Sequence, residues 1–202
     1  MTFLYDIGKV LLDFDFENSL RHLLPQGTPD SDIDDRLAKM LDRKDDFEGG
    51  RVSPEDYIPW ALEILGHDID RETFIQAWQN IFTPNEPMWR VVEQLRADGH
   101  RLILFSNTNA IHCPWIFETY EIFDHFDSGV LSFEVGEIKP HEKIYHHAIE
   151  HYGVVPAETL YIDDLPENIA TGQRLGFRTH LYDMRRHEEF MHWLKVELDR
   201  EL

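Results

Sequence analysis

The chain is poor in cysteine, in cationic side chains and in long apolar runs. Its one cysteine, Cys113, excludes an intramolecular disulfide framework and points to a reducing compartment. Nineteen lysines and arginines face 39 acidic residues, a formal charge of −20. Such a surface repels polyphosphate, so neither nucleic acid nor an anionic membrane suits it as a partner. No apolar run approaches the ~20 residues of a membrane span. No basic segment followed by an apolar stretch marks a signal peptide. There is no internal repeat and no low-complexity tract. The expectation is a soluble cytoplasmic protein, monomeric or homodimeric.

What is present suffices for a core. Hydrophobic residues make up 42% and aromatic residues 12% of 202 positions, in keeping with one core domain and a smaller insert. On so acidic a chain, a small anionic substrate must be drawn in locally, by a metal ion, a lysine or helix N-termini.

Phe3-Leu4-Tyr5-Asp6 reads as a buried strand ending on a carboxylate, with Gly8 two residues on and Val10-Leu11-Leu12 continuing the apolar run. Residues 16–82 are helix-patterned and acidic. Ser31 is a candidate N-cap, with Ile33, Leu37 and Leu41 on one face behind it. Ser53-Pro54 is a stronger start, followed by Tyr57, Ala61, Leu62 and Leu65. Asp70 opens a third helix with Phe74, Trp78 and Ile81 inward. Phe47-Glu48-Gly49-Gly50-Arg51 between them reads as a loop, either binding or merely solvated. From Asn85 strands and helices alternate. Strands are predicted at 101–105, 129–133, 159–162 and 178–181, and a closing helix at 187–200. Repeated strand–helix units imply a parallel sheet with right-handed crossovers and helices on both faces.

Four polar sites fall at strand ends or helix starts: Asp6, Ser106-Asn107, Lys139 and Asp163-Asp164. Singly, each is as well explained by a cap, a solvated turn or a surface lysine. Jointly they converge on the carboxyl edge of one parallel sheet, where open α/β folds bind ligands. They bring a carboxylate, an anion cradle, a cation and candidate metal ligands.

This set and order resemble the haloacid dehalogenase-like superfamily, and the resemblance covers the whole chain. Within it, Asp-Ile-Gly-Lys-Val, Phe-Ser-Asn-Thr-Asn and Ile-Asp-Asp-x-x-Glu-Asn look like bacterial sugar-phosphate phosphatases with a small helical cap, of the alpha-D-glucose-1-phosphate phosphatase type. The resemblance implies an α/β fold with a Rossmann-like parallel sheet flanked by helices (1–15 and 83–202) and a helical cap (16–82). It implies Mg²⁺-dependent hydrolysis of a small phosphorylated metabolite, such as a hexose 1-phosphate. Asp6 would attack phosphorus to form an aspartyl-phosphate. Mg²⁺ would sit on Asp6, the Gly8 carbonyl, Asp164 and Asp163. Ser106, the Asn107 amide and Lys139 would hold the phosphoryl group at a helix start, and Glu48 would reach the substrate from the cap.

Gly8 departs from the family pattern, which places a second aspartate there as general acid–base, an assistance worth ~10²–10⁴ in rate. A good leaving group would offset the loss. So would another carboxylate, with Asp13, Asp15 and Glu48 as candidates. Two further readings accommodate the glycine: a 2-haloacid dehalogenase, or a catalytically weak phosphate-metabolite-binding protein. The twelve histidines carry no metal pattern. His112 beside Cys113 lacks the roughly four converging ligands that zinc needs. Trp60, Trp78 and Trp89 read as packing residues.

Overall fold

Phe3, Leu4 and Tyr5 are all fully buried, which explains why their strand shows no polar alternation. In the computed structural model, which describes residues 1–66 and 69–199, they form β1 (Thr2–Tyr5) at the centre of a five-stranded sheet. The chain continues through β2 (Leu12–Phe14), α1 (Phe16–Leu23), α2 (Asp30–Leu41), α3 (Lys44–Glu48), α4 (Pro54–Leu65) and α5 (Arg71–Gln79) to β3 (Phe82–Pro84). There follow α6 (Glu86–Ala97), β4 (Arg101–Ser106), α7 (His112–Thr119), β5 (Ser128–Leu131), α8 (Ser132–Val135) and α9 (Glu142–Tyr152). The rest is β6 (Thr159–Asp163), α10 (Pro166–Arg174), β7 (Arg178–Leu181) and α11 (His187–Asp199). The predicted last residue of that helix, Arg200, lies outside the described residues.

The sheet order is β5-β4-β1-β6-β7 and every pairing is parallel, as the strand–helix alternation predicts. Strand side chains divide by the two-residue period of the pleat. Phe3, Tyr5, Leu102, Leu104, Leu160 and Ile162 pack with α6, α7 and α11 on one face. Leu4, Ile103, Phe105 and Tyr161 pack with α9 and α10 on the other. Register then places the site. Tyr5 pairs with Leu104 and with Ile162, and the Asp6 amide donates to the Ile162 carbonyl at 3.0 Å. Asp6, Ser106 and Asp163 therefore leave the sheet side by side.

Helices α1–α5 build a second apolar cluster around Ile33, Met40, Phe47, Tyr57, Ala61, Phe74 and Trp78. They connect to the sheet through the antiparallel ribbon β2–β3, in which Phe14 faces Phe82. Ser53 and Asp70 cap α4 and α5 as predicted, accepting from the amides of Asp56 and Thr73. Three local expectations are corrected. Ser31 is not a cap: α2 begins one residue earlier, and the Pro29 carbonyl accepts its first amides. Leu41 is 40% exposed while its neighbour Met40 is buried. Phe47 and Glu48 close a short helix, and the loop begins only at Gly49. Among the described residues no helix is long and apolar enough to cross a membrane.

Candidate active site

Asp6 is held by its own strand end. Its Oδ1 accepts from the Ile7 amide at 2.7 Å and lies 3.2 Å from Lys139 Nζ. Burial pushes its carboxyl up to about 6, against the pull of Lys139.

Lys139 has no exposed side-chain surface, so its charge must be matched from within. Nζ donates to Asp163 Oδ2 at 2.6 Å and to the Phe105 carbonyl at 2.7 Å, besides facing Asp6. Burial alone would favour the neutral amine, but Asp163 and Asp6 outweigh it and hold the ammonium above its ordinary range. The backbone of Lys139 is clamped as well. Asn107 accepts its amide through Oδ1 at 2.8 Å and donates to its carbonyl through Nδ2 at 2.9 Å. The Asn107 side chain thus positions the lysine.

Asp163 is buried and saturated. It accepts from Lys139, from the Tyr161 hydroxyl at 2.5 Å, from the Leu165 amide at 2.9 Å and from Asn168 Nδ2 at 2.9 and 3.2 Å. Asp164 is half-buried, and burial together with Asp6 and Asp163 pushes it up to about 7. Oxygens of the three aspartates lie within 4.8 Å of one another. Asn168 Oδ1, buried against the same cavity, has no partner among the described residues. Asp6 and Asp164, whose proton affinity is raised by burial and by neighbouring carboxylates, beside an orphaned oxygen acceptor, suit a hard, hydrated divalent cation. Asp6 and Asp164 hold the free ligating capacity.

Ser106 is buried beside Asp6, where its hydroxyl favours the ionised carboxylate, and its Oγ donates to the Asn107 carbonyl at 3.3 Å. The helix-start expectation for Ser106-Asn107 is corrected: α7 begins only at His112, and Asn109 Oδ1 takes the amides of Ile111 and His112. The cradle is a loop. His112 is a structural residue. Burial pushes it down to about 4, and its ring nitrogens meet Asn109 Nδ2 at 3.1 Å and the Trp78 carbonyl at 3.0 Å.

Asp6, Ser106, Asn107, Lys139 and Asp164 open onto one cavity of about 180 Å³. Its far wall comes from the helical block. Glu48 on α3 lines it, with the carboxylate 3.6 Å from Lys44 Nζ and a side chain 12% exposed. Burial pushes Glu48 up to about 7, with Lys44 opposing. Phe14, Phe16, Phe82 and Ile116 supply the apolar surface between. Sequence reading missed these residues. The one local signal was Phe14-Asp15-Phe16, where β2 passes into α1 and the two rings meet edge to face at 5.2 Å. Trp78 packs inside the helical block and Trp89 anchors to the Leu11 carbonyl at 2.8 Å, as expected of packing residues.

Comparison with known proteins agrees with this geometry. Residues 39–176 match the family model of haloacid dehalogenase-like hydrolases. The chain is 29% identical over 185 residues to a D-ribitol-5-phosphate phosphatase of Bacteroides thetaiotaomicron, covering 87% of this chain and 88% of that one. The fold superposes with TM-score 0.76 and 27% identity on a haloacid dehalogenase-like enzyme of Bacteroides thetaiotaomicron solved with magnesium and inorganic phosphate, covering 89% and 92% of the two chains. A predicted haloacid dehalogenase-like hydrolase of Porphyromonas gingivalis gives TM-score 0.72 at 29% identity, covering 90% of each.

Proposed function

The chain belongs to the haloacid dehalogenase-like hydrolase family, and on that premise we propose that it is a Mg²⁺-dependent phosphatase of a small phosphomonoester, a sugar or polyol phosphate such as a hexose 1-phosphate. One observation carries the reading: a fully buried lysine bridges Asp6 and a saturated Asp163 at 3.2 and 2.6 Å, with Asp164 alongside. Asp6 is the nucleophile. Its Oδ forms a bond to phosphorus as the ester oxygen departs, and water then cleaves the aspartyl-phosphate, splitting one displacement into two. Lys139 lies against the nucleophile, where it offsets charge on the transferring group without reorganisation. Ser106 and the Asn107 amide hold phosphoryl oxygens. Asp163 orients Lys139 and the turn to Leu165 and reaches the metal directly or through water.

Mg²⁺ on the Asp6 and Asp164 carboxylates and the Gly8 carbonyl would neutralise the repulsion between nucleophile and phosphate. A metal-free dehalogenase has no use for Asp164, whose carboxylate is destabilised by burial and by Asp6 beside it. Residues 16–82 act as the cap, and the small cavity limits the leaving group, with Phe16 and Phe82 offering flat faces for the C–H side of a sugar or polyol. The 29% identity to a D-ribitol-5-phosphate phosphatase supports that class.

The test is phosphate release from a panel of sugar and polyol phosphates. The expected result is turnover that EDTA abolishes, Mg²⁺ restores and Asp6→Asn removes. Turnover of no member, or turnover indifferent to Asp6→Asn, overturns the reading.

A further inference from the structure

Gly8 leaves no group on the nucleophile's own strand end to protonate the departing oxygen, and the space above it is taken. A Cβ at position 8 would sit 3.0 Å from Cε1 of Phe14. Of the three carboxylates that could substitute, two are committed elsewhere. Asp13 is ion-paired with Lys9 and faces a neighbouring groove beside Arg185 and Arg186. Asp15 is exposed, and its Oδ1 accepts the Asn18 amide at 2.9 Å at the start of α1. Glu48 remains: it is buried in the wall of the cavity that Asp6 opens onto, and its one ion-pair partner, Lys44, stands 3.6 Å away in that same cavity wall.

Its carrier helix is seated on the core. Ser132 Oγ accepts the Thr108 amide at 2.9 Å and donates to the Glu48 carbonyl at 2.5 Å. Thr108 follows directly on the Ser106-Asn107 cradle. Two residues past Glu48, Gly50 adopts φ +68° and lies so close to the core that a Cβ would stand 2.3 Å from the Phe133 carbonyl oxygen. One hydroxyl therefore ties the phosphate loop to the residue carrying the candidate acid.

Resting on the phosphatase reading above, we propose that Glu48 is the general acid–base of the reaction, supplied from the cap in place of the residue missing at Gly8. In the first step Asp6 Oδ bonds to phosphorus, the bond from phosphorus to the ester oxygen breaks, and the Glu48 proton passes to that oxygen. In the second step Glu48, now a carboxylate, takes a proton from water as the water oxygen bonds to phosphorus. The bond to Asp6 breaks, and phosphate and the starting enzyme result. Protons balance over the two steps. A carboxyl that holds its proton to about pH 7 is matched to both roles.

The test compares wild type and Glu48→Gln on two substrates through kcat/KM, which reports the first transfer. An alkyl or sugar phosphate needs its leaving oxygen protonated, whereas p-nitrophenyl phosphate does not. The expected loss is ~10²–10⁴-fold on the alkyl or sugar ester and a far smaller loss on p-nitrophenyl phosphate. Formate added to Glu48→Ala should partly restore kcat/KM for the alkyl ester and leave kcat/KM for p-nitrophenyl phosphate unchanged. Equal losses on both substrates without formate rescue, or undiminished alkyl ester turnover in Glu48→Gln, overturns the assignment while leaving the phosphatase reading intact. A wild type inert toward both substrates overturns the phosphatase reading and this assignment with it.

Discussion

Replacing Lys139 with methionine tests the electrostatic core of the site. The side chains of Lys139 and Asp163 have no exposed surface and that of Asp6 only 10%. Methionine fills the aliphatic volume but removes a cation that both carboxylates face. Breaking a buried pair from one side costs about 3–5 kcal/mol, because the abandoned charge stays buried. In a chain of this size each kcal/mol lowers the midpoint by about 2–4 °C, so a fall of about 6–20 °C is expected. The variant escapes part of the cost by protonating the stranded carboxyls. Their folded-state proton affinity then exceeds the unfolded one, so the folded state binds more protons and stability falls as pH rises. The deficit should be larger at pH 8 than at pH 5. Adding Asp163→Asn, which removes the stranded charge, should recover a measurable share. The assay is thermal unfolding by circular dichroism without divalent cations, on both single variants and the double. A loss under about 1 kcal/mol, a deficit independent of pH, or strictly additive single effects would refute the reasoning.

Four other outcomes follow from the same geometry. Mg²⁺ at 100 times its dissociation constant should stabilise the protein by about 2.7 kcal/mol; Asp164→Asn should abolish most of that gain in a thermal-shift titration. Without metal, the raised proton affinities of Asp6 and Asp164 mean stability falls as pH rises from about 4 through 7; midpoints at pH 5 and pH 8 with EDTA, then with saturating Mg²⁺, should show the slope flattening. Gly8→Asp should not create a faster enzyme: with Phe14 in the way, urea unfolding should show a loss of about 1–3 kcal/mol, relieved by adding Phe14→Ala. Gly50→Ala, forced into φ +68° against the Phe133 carbonyl, should cost about 1–3 kcal/mol and lower kcat/KM on an alkyl ester more than on p-nitrophenyl phosphate.

What could be read from the chain alone follows from how local the governing physics is. Ser53 and Asp70 announce their helices because a cap is a contact over three residues. Ser31 misled because its competitor, Pro29, satisfies the same first-turn amides with a backbone carbonyl. Leu41 looked inward on spacing alone, but the packing of α2 against its neighbours turned Met40 inward instead. The meeting of Asp6, Ser106 and Asp163 was legible because adjacent parallel strands in register must deliver consecutive strand ends to one edge.

The sequence by itself determined a parallel α/β sheet, a helical block after its first strand, and the carboxylates, lysine and serine that strand ends bring together. Alternation, caps and strand length are short-range properties, and a parallel sheet has one edge at which they can accumulate. Only the tertiary structure decided what each residue contacts there. It turned Asn107 onto the Lys139 backbone 32 residues away. It saturated Asp163 while leaving Asp164 capacity for a metal, laid Phe14 over Gly8, and hung Glu48 from Ser132 across 84 residues. Those assignments depend on which groups fill the same few cubic ångströms and compete for the same donors. That competition is settled by packing among segments distant in the chain, where no spacing along it can register the outcome.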